Sequence, residues 1–147
     1  MTDLQKDLSL TVAHVVGQGV VALSAGCEIH FAVECHPSGQ SFAGRCWVRY
    51  PKGDLPESIR RSVAIAGCLA TLVLKRGEPE AIEPVEAYDK LQSGELALSE
   101  TDAAMSEGFT LDDVAFALGV LSDRWAIIAD EVARMSPLIL NNTIRIH

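Results

Sequence analysis

Residues 9–27 read SLTVAHVVGQGVVALSAGC, and the conformation of this apolar run decides what the rest of the chain can build around it. Residues 9–25 are too many for one ordinary strand. Their length favours a helix, although valine and glycine have poor intrinsic helix propensity. His14 and Gln18 are polar positions within it. Four residues apart, they fall on one face of such a helix.

Downstream, EIHFAVECHPSGQSFAGRCWVRY, residues 28–50, places Ile, Phe, Val, Trp and Tyr around Pro37-Ser38-Gly39. This is the composition of two or three short antiparallel strands joined by a turn. A second helix is expected from Pro56, which suits a first helical position, through ESIRRSVAIAGCLATLVLKR to a stop at Gly77. Ile59, Val63, Ala66, Ala70 and Val73 would line one face of it. Residues 77–98 are acidic and broken by Pro79 and Pro84, and they read as a mobile surface connection.

Ser99 has the character of a helix cap, with Asp102 three residues on answering it in a capping box, and a short helix should reach about Gly108. Thr110-Leu111-Asp112-Asp113 repeats the signal. From there helical spacing holds until Ser136-Pro137 closes the element. The apolar, β-branched tail LILNNTIRIH would pack as an edge strand or as an arm that binds a partner.

The chain has 147 residues, 48% of them hydrophobic, enough for one domain with its own core. That domain takes in residues 1–147, with a core at about 9–135 and a tail at 136–147. Twenty acidic residues against twelve basic give a net charge of −8, which repels phosphate backbones and anionic lipid. Nucleic acid and membrane are therefore not expected partners. No uninterrupted apolar run approaches the length of a bilayer span, and the start lacks the layout of a secretory signal, so the expected location is the cytoplasm. Cys27, Cys35, Cys46 and Cys68 have no C-x-x-C spacing and read as buried thiols.

The chemistry of His14-Val15-Val16-Gly17-Gln18 is best seen against a zinc-peptidase H-E-x-x-H helix. That motif needs two imidazoles one turn apart to share a metal, and a glutamate to take a proton from zinc-bound water. Here His14 holds the first position. Val15 stands in place of the glutamate and Gln18 in place of the second histidine. Valine cannot move a proton, and a neutral amide oxygen is a poor zinc ligand.

The wider arrangement nevertheless resembles a known family. TVAHVVGQGVVALSAG is similar to the AxHExGHAVVAxxLG helix of the FtsH-type peptidase domain, the zinc-protease module of membrane-anchored AAA proteases. Ala13, His14, Gly17, Val20, Val21 and Ala22 match. HPSGQSFAG then resembles the family's strand and turn, AIAGCLATLVL its xxAGxAAExLx helix, and LALSETDAA its SxxD segment. The resemblance spans residues 9–135 and implies an α+β, zincin-like fold, mainly helical with a small antiparallel sheet. It also implies His14 and Asp102 as survivors of the family's three zinc ligands. Thr71 stands where the family places a glutamate, and neither an ATPase module nor a membrane anchor accompanies the segment.

Other candidates have simpler readings. Cys27, His30, Cys35 and His36 are good zinc ligands by type, but a strand would put His30 and His36 on one face and Cys35 on the other. Asp112-Asp113 reads as helix-start electrostatics, Asp123-Arg124 as local surface pairing, and Trp47 and Trp125 as core or interface anchors.

Two functions follow. The first is a metallopeptidase-like module without catalytic residues, needing no cofactor, that binds a peptide or protein partner and associates with itself. The second is a zinc-dependent hydrolase with a rebuilt site. It would combine His14 and Asp102 with Cys35, His36 or Glu100 as a further ligand and Glu34 or Glu100 as base.

Overall fold

The valine-rich stretch is a helix, and it begins earlier than its apolar pattern suggests. In the computed structural model, which describes residues 2–39, 41–53 and 55–140, helix α1 runs Asp3–Ser24. The Thr2 hydroxyl accepts from the Gln5 amide at 3.1 Å while the Gln5 side chain accepts from the Thr2 amide at 2.8 Å. This reciprocal cap turns the polar lead-in into a first helical turn.

Strands β1 (Glu28–Cys35) and β2 (Phe42–Arg49) form an antiparallel pair with His30 opposite Trp47. Alternation sorts their side chains. Glu28, His30, Glu34, Arg45, Trp47 and Arg49 are exposed, whereas Ile29, Phe31 and Val33 pack into the core.

Helix α2 (Glu57–Arg76) ends as expected at Gly77, whose φ of 95° is the left-handed cap that favours glycine. Pro56 lies just before the first helical residue. The burial of α2 goes well beyond one face. Ser62 to Val73 are all buried except the half-buried Thr71, because α1 and α5 both pack on it. A Cβ on Gly17 would collide with that of Ala70, so the two backbones approach closely.

Residues 77–98 are not the surface connection their acidity suggested. A 3-10 turn covers Pro79–Ala81 and helix α3 covers Pro84–Ser93, burying Pro79, Ile82, Ala87 and Leu91. Pro84 opens α3 where its missing N–H has no intrahelical role, and Gly94 closes it. The prolines start helices here; they do not break them.

Helix α4 spans Glu100–Met105, and the Ser99 hydroxyl accepts from the Asp102 amide at 3.1 Å. Helix α5 spans Leu111–Leu140. At its start the Thr110 hydroxyl accepts from the Asp113 amide and the Asp113 carboxylate accepts from the Thr110 amide. Asp113 adds an ion pair to Arg61 of α2 at 2.7 Å. The expected stop at Ser136-Pro137 is overturned, since α5 continues through Pro137 to Leu140. A proline inside a helix forgoes one backbone hydrogen bond, and the helix carries on around it here. The reading of the tail as an edge strand fails for 138–140, which are helical, and otherwise falls on 141–147, outside the described residues.

The result is an α+β architecture, mainly helical, with a two-stranded antiparallel sheet. Helix α1 lies at its centre, in contact with α2, α5, β1 and β2. By length and composition α1 would also pass as a membrane span, yet 56% of its most apolar window is buried inside the protein.

Candidate functional site

Helical spacing puts His14 and Gln18 one turn apart on the side of α1 that faces α4. The cap at Ser99 fixes the first turn of α4 and turns Asp102 toward them. The Gln18 amide Nε2 donates to Asp102 Oδ1 at 3.4 Å, and His14 Nε2 lies 3.6 Å from Asp102 Oδ2. Both oxygens of one carboxylate are therefore engaged from α1. Asp102 and Gln18 are each 8% exposed. At 3.6 Å the His14 contact is an ion pair and not a hydrogen bond. Asp102 does not answer Ser99 with its side chain, so the expected capping box is one-sided.

The imidazole of His14 lies against Gly67 of α2. A Cβ there would come within 2.6 Å of Nε2, so the ring occupies space that only glycine leaves open. Burial pulls the imidazole toward its neutral form. The Asp102 carboxylate and the Cys68 sulfur outweigh that and lift its pKa to about 9. His14 is thus a cation at neutral pH. Cys68 is buried and donates to the Ala97 carbonyl at 3.2 Å.

Val15, where a peptidase would carry its glutamate, is fully buried. It packs under β2, and a Cβ on Gly44 would meet its Cγ1 at 2.7 Å. No proton acceptor exists at that position.

Two cavities flank this cluster. One of about 480 Å³ is lined by His14, Gln18, Asp102, Ser99, Thr101 and the Gly44–Trp47 stretch of β2. The other, about 270 Å³, is lined by Leu10, Thr11, His14, Gly44 and Thr71. They share His14 and Gly44. Trp47, 48% exposed and tilted against His30 with ring centroids 5.5 Å apart, forms part of the rim. Cys46 lines the wall, its thiol pushed up to about 12 by burial and then by the Asp102 charge.

The donor set does not complete a zinc site. His14 and Asp102 offer two ligand atoms, and the third corner holds an amide that points N–H groups at the carboxylate. Among the described residues no three His, Cys, Asp or Glu side chains gather as a metal cluster.

The further ligands considered in sequence are not brought here. Cys35, His36, Glu34 and Glu100 are exposed and line neither cavity. His36 contacts Ser38 at 3.0 Å. Of the four thiols only Cys27 and Cys68 are buried, Cys35 is exposed and Cys46 is half-buried, which corrects the expectation of four buried cysteines. Asp123 and Arg124 form no ion pair among the described residues. Sequence reasoning missed Gly67 and Cys68 as neighbours of His14, although the Ala-Gly-Cys step inside an otherwise bulky helix marks a point of close approach.

No protein-family model matches the chain, and no curated protein matches it closely enough to serve as a relative.

Proposed function

We propose that the chain is a catalytically silent relative of the FtsH-type peptidase domain, whose cleft binds an extended peptide or protein segment without cutting it. The observation that carries this reading is the meeting of His14, Gln18 and Asp102 beside β2. These are the positions that the resemblance assigns to the metal, drawn from helices 84 residues apart in sequence. Chance similarity in a valine-rich helix gives no reason for Asp102 to arrive there.

The chemistry at those positions supports binding over hydrolysis. Val15 supplies no base, and Gln18 spends its donor on Asp102. Four consecutive residues of β2 wall the larger cavity, and beyond its pairing with β1 this strand has no further strand partner among the described residues. An extended segment laid there would add a third strand through main-chain hydrogen bonds, with side chains dropping into the cavities on either side of His14. Free thiols agree with a reducing, cytoplasmic setting.

A zinc hydrolase with a rebuilt site remains the second reading. Its support is the pairing of His14 with Asp102, and the further donors it needs do not gather there among the described residues.

Metal content and peptidase activity of protein purified without an affinity tag separate the two. The expected result is less than about 0.1 zinc per chain and no cleavage of unfolded protein, against near-stoichiometric loading in a held site. Stoichiometric zinc that disappears in both His14→Ala and Asp102→Ala, together with cleavage, would replace the binding reading with the hydrolase.

A further inference from the structure

We infer that the Gln18–Asp102–His14 network fastens α4 to α1 by side chains alone, occupying the position where a metal ion would otherwise tie the two helices together. Helix α4 has six residues, too few to hold its own structure in water. It packs on α2, and its contacts with α1 are sparse. What reaches across to α1 is the Asp102 carboxylate.

A carboxylate that is 8% exposed needs compensation for its lost hydration. One oxygen receives the Gln18 N–H and the other faces the His14 imidazole. Gln18 is as buried as Asp102, and its amide suits this task in a way that imidazole or carboxylate would not. It is neutral at every pH and always has N–H groups to give. A second histidine would instead present a lone pair, which invites a cation. A glutamate would set two negative charges together.

Gln18 is therefore a positioning residue that keeps one wall of the cleft in place without a metal. The fastening rests on the geometry of the network, and its placement at a metal's position rests on the kinship proposed above.

Hydrogen exchange and thermal unfolding of the full chain test it. Native protein should unfold at the same temperature with zinc or with a chelator. Gln18→Met keeps length and bulk but removes the donor. It should speed exchange of the α4 amides about tenfold, the equivalent of one hydrogen bond to a charged group, with little change in α1 and α2. Gln18→His should gain a zinc-dependent rise in unfolding temperature that Asp102→Asn abolishes.

Unchanged α4 exchange in Gln18→Met would overturn the inference, as would chelator-sensitive native protein. So would a Gln18→His variant that ignores zinc, because the side chain would then not stand at the position of a metal. The Gln18→Met exchange tests the fastening alone, so its failure leaves the proposed function standing, whereas chelator-sensitive native protein or a zinc-blind Gln18→His variant would also remove the kinship behind that function.

Discussion

His14 concentrates the electrostatics of the cleft in one ring. Its pKa rises from 6.5 to about 9, so the protonated form is favoured by folding. The resulting stabilisation is complete below pH 6.5 and is lost as pH climbs through about 9. A shift of that size corresponds to roughly 3 kcal/mol, reduced to about 2 kcal/mol by screening at a side chain 28% exposed. Urea midpoints measured at pH 6, 7.5 and 9 should fall over this interval in the native protein. In His14→Gln the His14 part of that decline should vanish, and an identical decline in both proteins would count against a charged His14. Helical spacing and a cap signal, both local patterns, placed positions 14 and 18 on one helix and 102 on another, and only the family resemblance joined the three. Gly67 and Cys68 were not legible in the sequence, because their role depends on which face of α2 meets His14, which is decided by tertiary packing.

Among the elements, α2 and α5 are joined by a contact whose loss is costly. Asp113 is 3% exposed, caps α5 through Thr110, and pairs with Arg61 at 2.7 Å. Removing one partner of a buried pair strands the other charge. Arg61→Met should therefore lower unfolding free energy by about 3 kcal/mol in urea titrations, with a smaller loss in Arg61→Lys. A change within experimental scatter would mean that water reaches Asp113. Asp112-Asp113 looked in sequence like helix-start electrostatics, which is correct but incomplete, because the partner lies 52 residues away. Helix α3 was hidden for a different reason. The prolines and acids of residues 77–98 dominate composition there, while only Ala87 and Leu91 of the helix are buried, too few to set a visible period. Pro137 misled in the same way, since a proline signals an end but does not say how many residues earlier or later it falls.

At the level of the whole molecule, helical content and the small sheet could be read from pattern alone, whereas the central position of α1 could not. Its apolar residues face α2, α5 and both strands at once, and so no one-sided stripe appears. Helix α5 by contrast leaves Phe116 and Ile127 exposed at 41% and 53%, with half-buried Val120 between them. Phe116, Val120 and Ile127 share a helical face, a surface on which we propose the self-association expected from the sequence. Light scattering should report a dimer at micromolar concentration, shifted to monomer in the double variant Phe116→Ser, Ile127→Ser. A monomeric native protein would remove that proposal and leave the cleft reading untouched.

The central placement of α1 also bears on how the chain is made. Residues 3–24 leave the ribosome well before their covering helix, 111–140. Until that helix is made the nascent chain carries its most lipid-like segment without the partner that will bury it. Machinery that sorts apolar helices toward bilayers and chaperones that shield them would compete for that segment until α5 emerges. Polar groups along it, His14 and Gln18 among them, would lower its affinity for a bilayer in that interval.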